Sequence, residues 1–342
     1  MDIFIKLSPA KPTAAYATYW KFAAERQNIF FKRLRGEPPP WTTDPILSRH
    51  KFTNAYRASD RVSQYLIRNV IYKGDLSPEE VFFRCILFKI FNRESTWELF
   101  KNRLGEIRVP TFSVERFGKV LEQAKARGDR IFSAAYIMPS RGKQFRSSQK
   151  HENYLRLLKM MLADQVPAKL TEAKSMAEAY NLLLSYPLIG KFLAYQFVTD
   201  INYSAVTNFS EKEFVVPGPG ALDGIRKCFS SLGDVTEEYV IQAMAEKQHE
   251  EFQRLGFVFQ SLWGRDLQWI DCQNLFCEVS KYSRAAHPEI KGISDRTRIK
   301  QIFTASSQPI HYWFPPKWGL NHLIEQPRQS LKHGRQGEFL MT

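Results

Sequence analysis

Apolar residues recur every three to four positions along most of the chain, the spacing of amphipathic helices. In residues 190–203, for example, Leu193, Phe197 and Ile201 fall on one face. Alternation of apolar and polar residues is almost absent, and no series of strands alternates with helices, which argues against a parallel α/β sheet. The pattern predicts a mainly α fold, with helices at 13–34, 55–71, 95–104, 113–127, 151–163, 171–185, 190–203, 221–231, 236–254 and 266–283 and another beginning after Ser77.

Local signals refine these boundaries. Ser77, Pro78 and Glu80 have the spacing of a helix start, with serine as N-cap and Glu80 completing a capping box. The basic stretch PSRGKQFRSSQK, residues 139–150, is a candidate boundary between two lobes. We therefore expect one helical domain over residues 1–325 and a disordered tail over residues 326–342.

The charge balance narrows the choice of partners. The chain has 342 residues, a formal net charge of +14 and 14% aromatic residues. Such a charge favours a polyanionic binding partner, nucleic acid above all. The alternative is that the charge only keeps the protein soluble. Four scattered cysteines form neither a disulfide framework nor a metal-ligand pattern, so we expect reduced cysteines, no metal and no bound cofactor.

The same sequence argues against a membrane protein. The N-terminus lacks the apolar core of a signal peptide, and the longest apolar stretch is interrupted by Pro187 and Lys191. We expect an intracellular monomer, nuclear in a eukaryote and cytoplasmic in a bacterial or viral setting.

A glycine-rich stretch, FVVPGPGALDGIRKCF (residues 214–229), raises the question of a nucleotide loop. The spacing of Gly218, Gly220 and Gly224 is one residue too long for a dinucleotide fingerprint, and no βαβ pattern surrounds it. A Walker-type G-x-x-x-x-G-K-[ST] is absent from the sequence. The interpretation that remains is a helix entry whose free amide groups at Gly218, Gly220 and Ala221 suit a phosphate, such as one of DNA.

Upstream, SYPLIGKFLAYQFVTDINYS (residues 185–204) has the outline of a helix-hairpin-helix. Its turn at Ile189, Gly190 and Lys191 would present backbone amides to a DNA phosphate. Leu188 stands where the strongest form of this hairpin has a glycine, so an ordinary helical connection is the alternative.

Two polar features on these helices suggest a pocket. Asp200 shares or borders an apolar face, where a carboxylate is costly unless it is paired or used, so it either bridges to an arginine or lines a pocket. One side of the helix at 266–283 carries a polar stripe of Asp271, Asn274, Glu278 and Lys281. The stripe is either a solvated face or a surface that hydrogen-bonds a base edge.

Basic and aromatic residues are also interleaved in segments 20–35, 130–146 and 311–318. Such segments suit phosphate contact with base stacking, but they could equally be core residues next to ordinary surface residues.

Several motifs in order resemble a known family. They are W-T-x-D-P-I-L at 41–47, K-F-T-N-x-Y-R at 51–57, D-R-V at 60–62, I-G-x-F-x-A-Y-Q at 189–196, D-I-N-Y-S at 200–204, V-x-G-P-G-A at 216–221 and D-C-Q-N-L-F-C-E-x-x-K-Y at 271–282. Together they resemble the helical domain associated with 5-hydroxymethyluracil DNA kinases and the related α-glutamyl/putrescinyl-thymine pyrophosphorylases. The resemblance spans roughly residues 20–290.

This resemblance implies a helix-hairpin-helix, DNA-glycosylase-like fold that engages DNA at modified thymine-type bases. Kinase members carry a P-loop domain in addition, so kinase activity is not carried over to this sequence. Glycosylases of this type place a catalytic aspartate about where Val216–Gly218 lies, and bifunctional lyases place a lysine at the position of Phe192. Neither residue is present, so a carboxylate would have to come from Asp200 or Asp271.

The leading hypothesis is an enzyme that extrudes a modified pyrimidine and either cleaves its glycosidic bond or displaces a phosphate from its exocyclic methylene. The alternative is a non-catalytic module that recognises modified DNA, or recruits a separate enzyme. The candidate catalytic residues are Asp200, Asp271, Glu278 and Lys281. The candidate base-binding residues are Gln196, Asn202, Tyr203, Gln273, Asn274, Asn54, Tyr56 and Arg57. The candidate phosphate-binding residues are Ile189, Gly190, Lys191, Gly218, Gly220, Ala221, Arg141, Lys143 and Arg146.

Overall fold

The computed structural model describes residues 8–134, 138–139, 145, 147–305 and 311–325. Within these ranges the chain is mainly helical with one small sheet, as the periodicity predicts. The helices are α1 (Ala14–Leu34), α2 (Pro45–Arg49), α3 (Arg61–Tyr65), α4 (Pro78–Phe91), α5 (Glu94–Leu104), α6 (Val114–Ala126), α7 (Lys150–Ala163), α8 (Val166–Glu172), α9 (Met176–Leu184), α10 (Lys191–Ile201), α11 (Pro219–Cys228), α12 (Glu237–Glu246), α13 (Gln248–Arg254) and α14 (Trp269–Ala286). The antiparallel strands are β1 (Lys11–Pro12) and β2 (Phe229–Ser231).

Shorter helical turns complete the described chain. A π-helix spans Leu66–Ile71, and 3-10 helices span Arg57–Ser59, Val109–Thr111, Pro316–Trp318 and Asn321–Leu323. Three of the expected helices are divided in the structure. The helix expected at 55–71 is a 3-10 turn followed by α3 and the π-helix. The one expected at 171–185 covers the last residues of α8 and then α9, and the one expected at 236–254 is α12 followed by α13. The division at α9 has a clear cause, because the Ser175 hydroxyl accepts the amide of Glu178 at 3.1 Å and starts a new helix.

Side-chain oxygens cap the starts of several helices. The Thr13 hydroxyl accepts the amide of Ala15 at 3.1 Å, and the Asp44 carboxylate accepts the amides of Ile46 and Leu47 at 2.9 Å. The capping box expected at Ser77 is wrong, since the Ser77 side chain makes no cap bond. Glu80 instead accepts a hydrogen bond from the amide of Val109 at 3.1 Å, which ties α4 to the 3-10 helix that follows α5.

Helix α4 is the centre of the packing. Every residue from Glu80 to Phe91 is buried, and α4 contacts α7, α8, α10 and the π-helix. Its polar residues therefore have internal partners: Arg84 lies 3.6 Å from Glu80 and donates to the carbonyl oxygen of Val70 at 3.0 Å. Helix α7, which follows segment 139–150, also packs on α4 and α6, which precede it. Division of the chain into lobes stays a prediction, and the expected tail at 326–342 lies outside the described residues.

Helix α11 lies unusually close to α14. A Cβ atom added at Gly220 would lie 3.1 Å from Cys277 Sγ, and one added at Gly224 would lie 2.0 Å from the carbonyl oxygen of Phe276. Glycines four residues apart thus let the two helix backbones meet. This contact explains Gly220 and Gly224 without a nucleotide.

We predict that Gly224→Ala lowers the free energy of unfolding by roughly 1–3 kcal/mol or more, because the new methyl group must push two backbones apart. Urea denaturation measures the change. Gly118→Ala in α6 is the matched control, since its Cβ would meet nothing within 4 Å and should stabilise the helix by about 0.4–1 kcal/mol. Equal effects at both positions would contradict the close-packing explanation.

Candidate nucleic-acid interface

The hairpin between α9 and α10 is built around a tight turn. The amide of Ile189 donates to the carbonyl oxygen of Tyr186 at 3.3 Å, with Pro187 second in the turn and Leu188 third. Leu188 has a φ of +66°, in the left-handed region that glycine favours. Proline followed by a positive φ is the signature of a type II turn. Leu188 therefore adopts the backbone conformation of the glycine it replaces, at a strain cost of order 1–3 kcal/mol.

After this turn, the start of α10 lies beside the start of α11. Gly218 is the N-cap of α11, and a Cβ atom there would lie only 2.8 Å from Cδ2 of Phe192, the second residue of α10. Neither N-cap, Gly190 or Gly218, supplies a side-chain hydrogen bond to its helix. Two helix N-termini, each with a positive dipole end, thus meet at one place.

The predicted phosphate-binding residues are only partly accessible there. Gly190 and Lys191 are exposed, and Gly220 is half-buried. Ile189, Gly218 and Ala221 are buried, and Ala221 is 0% exposed, so the expectation that the Ala221 amide is open to a phosphate is wrong. Arg141, Lys143 and Arg146 lie outside the described residues.

Asp200 lies inside the protein, on α10. Its side chain is 0% exposed, with Oδ1 2.8 Å from Arg57 Nη2 and Oδ2 3.1 Å from Lys89 Nζ. Lys89 also donates to Asn92 Oδ1 at 2.8 Å at the end of α4. A buried carboxylate between two cations is stabilised only by that pairing. The geometry thus favours the interpretation in which Asp200 bridges to an arginine, and its catalytic role stays a prediction.

Arg57 connects Asp200 to α14. Its guanidinium donates to the Tyr203 hydroxyl at 2.9 Å and to Gln196 Oε1 at 3.0 Å, and its backbone amide donates to Asp271 Oδ1 at 2.7 Å. Gln196 and Tyr203, both expected to bind a base, thus bind Arg57, from which the same was expected.

Asp271 accepts a second backbone bond, from the amide of Gln268 at 3.0 Å, and is 4% exposed. Burial, and after it the charge of Glu211, raises the pKa of Asp271 to about 7, although the two backbone donors oppose the rise. Burial also raises the pKa of Glu211, which lies 3.0 Å from Arg265 Nη2. Arg265 in turn stacks 3.8 Å from the ring centre of Trp318.

The rest of the polar stripe on α14 holds a segment of chain against the helix. The amide of Thr53 donates to Glu278 Oε2 at 3.0 Å, and Asn274 Nδ2 donates to Thr53 Oγ1 at 3.1 Å. Lys281 pairs with Glu278 at 2.8 Å and donates to the carbonyl oxygen of Lys51 at 2.8 Å. The stripe is therefore neither an open solvated face nor an open pocket. We call residues 51–57, held in this way, the strap.

The other expected base-binding residues also have internal partners. Asn54 Oδ1 accepts from Arg26 Nη2 at 2.8 Å, and the Tyr56 hydroxyl donates to the carbonyl oxygen of Arg265 at 2.5 Å. Asn202 Oδ1 accepts the amide of Phe209 at 2.9 Å and shapes the loop after α10. Gln273 of α14 is buried; its Nε2 lies 3.5 Å from Cys277 Sγ and would lie 3.4 Å from a Cβ added at Gly218, at the start of α11.

Three members of the network were not expected from the sequence: Arg26, Lys89 and Glu211. Arg26 Nε donates to the carbonyl oxygen of Thr53 at 2.9 Å, so it holds the strap from the side of α1. A signal was present for Lys89, a cation between apolar residues in the last turn of an apolar helix. Arg26 and Glu211 stand in ordinary polar surroundings, and the sequence offers no signal for them.

Other kinds of site find no support in the described part of the chain. No group of three or more His, Cys, Asp or Glu side chains there could hold a metal ion. Among the same residues, no helix is long and apolar enough to cross a membrane.

Comparison with known proteins decides the family. The family model for the helical domain of 5-hmdU DNA kinase matches residues 13–292. The chain belongs to this family. A 5-hmdU DNA kinase of Bacillus phage SP10 is 26% identical over 304 residues, which cover 82% of this chain and 47% of that protein. The chain thus matches about half the length of this relative. No solved structure matches significantly.

The motifs that carry the resemblance to 5-hmdU DNA kinase helical domains meet in space. The strap comes from the K-F-T-N-x-Y-R motif, and its Arg57 contacts Gln196, Asp200 and Tyr203 from two others. Its backbone contacts Asp271 of the last motif. These segments, far apart in the sequence, therefore form one buried polar network.

We predict that Asp200→Asn lowers the free energy of unfolding by about 3–5 kcal/mol, because it leaves two buried cations without their carboxylate. Urea denaturation at constant pH measures the loss. Asp129→Asn is the control: its carboxylate pairs with Arg127 at 3.2 Å on the surface, where an ion pair contributes about 0–1 kcal/mol. A similarly small loss for Asp200→Asn would show that the buried pair does not support the fold.

Asp271 should make stability depend on pH. Its pKa is 3.8 in an ordinary setting and about 7 in the folded protein. The folded state therefore binds more protons between these values, and its stability should fall as pH rises through that window and then level off. In Asp271→Asn this part of the slope should vanish, whereas Asp129→Asn should keep it. Denaturant titrations at several pH values test this, and an unchanged slope in Asp271→Asn would contradict the assignment.

Proposed function

We propose that this chain is a DNA-binding domain that holds DNA containing 5-hydroxymethyluracil, with a backbone phosphate at the joined N-termini of α10 and α11. The observation that carries the proposal is the contact between Phe192 and Gly218, which brings two uncapped helix starts together. Backbone amides and dipole ends at such a place suit a phosphate. Membership of the 5-hmdU DNA kinase helical family supports DNA as the polyanion.

The turn before α10 supports a helix-hairpin-helix role. Leu188 is held at a positive φ, and strained backbone of this kind concentrates at functional sites. Exposed Lys191 stands at the first position of α10, where its cation adds to the field of the helix end. A Cβ atom added at Gly190 would meet no other atom within 4 Å, so this side of the turn is open to a sugar–phosphate chain.

The buried network favours binding and positioning over catalysis by its carboxylates. Asp200 and Asp271 are buried and both contact Arg57, and Glu278 and Lys281 hold the strap. In this proposal the chain presents modified DNA to a separate catalytic unit. The phage origin of the relative supports action in a bacterial cytoplasm.

One observation favours a second function, chemistry on an extruded base. A carboxyl with a pKa near 7 suits a general acid or base at neutral pH, and Asp271 has that property. The strap covers this carboxyl, so a base reaches it only when residues 51–57 move aside. Glycosidic cleavage and phosphate displacement both fall under this second candidate.

We predict that Lys191→Glu weakens duplex binding several-fold and lowers the slope of log affinity against log salt by about one, as expected for one lost phosphate contact. Fluorescence anisotropy with a duplex containing 5-hydroxymethyluracil measures both. The fold should persist, because an acid at the first position of a helix is favourable. Lys119→Glu, an exposed lysine of α6, is the control with the same charge change.

Two outcomes would count against the proposal. If Lys191→Glu and Lys119→Glu weaken binding equally, the joined helix starts are not the contact. If mass spectrometry of nucleosides finds a new product after incubation of the chain with 5-hydroxymethyluracil DNA or its phosphorylated form, the second candidate replaces binding alone.

A further inference from the structure

A cleft of about 450 Å³ lies beside the π-helix, away from the hairpin. It is lined by Arg68, Asn69, Tyr72, Lys73, His311 and Trp313 among others. The Tyr72 hydroxyl donates to the carbonyl oxygen of Tyr203 at 2.9 Å, just beyond the C-terminal end of α10. Because α10 has 11 residues and a helix rises 1.5 Å per residue, its two ends are roughly 16 Å apart. The cleft is therefore a separate place from the joined helix starts.

The π-helix arranges one wall of this cleft. The amide of Tyr72 donates to the carbonyl oxygen of Ile67, five residues earlier, at 3.2 Å. In such a widened turn, residues four and five positions apart share a face, so Arg68 lies on the same side as Tyr72 and Lys73. π-Helical turns are rare and are frequent at functional sites.

The lining combines cations with aromatic rings. Tyr72 and Trp313 meet edge to face, with ring centres 4.8 Å apart and planes at 74°. An edge-to-face pair leaves ring surface that the partner does not cover, on which another flat ring can stack. Arg68 Nη1 donates to the carbonyl oxygen of His311 at 2.5 Å, which fixes the guanidinium at the wall, while Lys73 is exposed. No acidic residue lines the cleft in the described part of the chain.

We propose that this cleft binds a single nucleotide, with its base against Tyr72 and Trp313 and its phosphate near Arg68 and Lys73. The volume is within the range of small-ligand sites, about 300–1,000 Å³. Base–aromatic stacking beside basic side chains is a general means of holding one nucleotide of a single strand, and the amide of Asn69 can hydrogen-bond a base edge. The nucleotide is either free or part of a DNA strand, since both present the same base and phosphate.

The test is calorimetric titration of the full chain with thymidine and adenosine 5′-monophosphates and with a short single-stranded oligonucleotide. Lys73→Glu and Trp313→Leu should each weaken binding at least tenfold. Lys119→Glu carries the same charge change as Lys73→Glu and should leave binding unchanged. Lys73 is exposed, so Lys73→Glu remains informative if the loss of the Trp313 ring disturbs folding.

The probes separate the two sources of nucleotide. If the cleft variants weaken binding of the monophosphates, the ligand is a free nucleotide. If they weaken binding of the oligonucleotide alone, the ligand is a nucleotide within a strand. Absence of binding, or binding that neither cleft variant weakens, overturns the proposal. Lys191→Glu should weaken duplex binding and leave monophosphate binding intact, so the cleft and the hairpin can fail independently.

Discussion

The ion pair between Arg57 and Asp200 is the contact on which the rest of the polar network depends. Arg57 lies 2.8 Å from a carboxylate that is fully removed from water, and the same residue reaches α14 through its backbone amide. A buried carboxylate of this kind persists only with its cations in place. Loss of the Arg57 side chain would therefore release α10 from the strap, whereas Glu278 and Lys281 would still hold the strap against α14.

The second constraint is the close approach of α11 to α14. Gly220 and Gly224 remove the side chains that would keep the helices apart, and Gly218 does the same against Phe192. The series of glycines that resembles a nucleotide loop is thus explained by packing along its length. Packing also has a functional result, because it positions the uncapped start of α11 beside that of α10. Phosphate binding, in the proposal, follows from helix packing.

Helical periodicity was enough to predict the fold class and most helices, since repeated apolar positions report burial directly. The boundaries failed where a side chain or a distant backbone group took over a hydrogen bond, as at Ser175 and at Arg57, whose amide binds Asp271. Apart from Arg26, Lys89 and Glu211, the residues of the network could also be named from the sequence, but their orientation could not. A polar stripe on a helix has the same spacing whether it faces water, a ligand or another segment of chain. For Asp271, Asn274, Glu278 and Lys281 that segment is the strap, more than 200 residues earlier in the sequence.

The distribution of charge connects the buried network to the proposed DNA contact. Among the described residues, five acidic side chains are buried (Glu80, Asp200, Glu211, Asp223 and Asp271) and five basic ones (Arg26, Arg57, Arg84, Lys89 and Lys227). These charges cancel, so the described core leaves the formal excess of +14 undiminished. Because exposed charge acts on partners over about 10 Å at moderate salt, that excess is available to attract a polyanion. The fold therefore uses its internal charges for position and keeps its net charge for association.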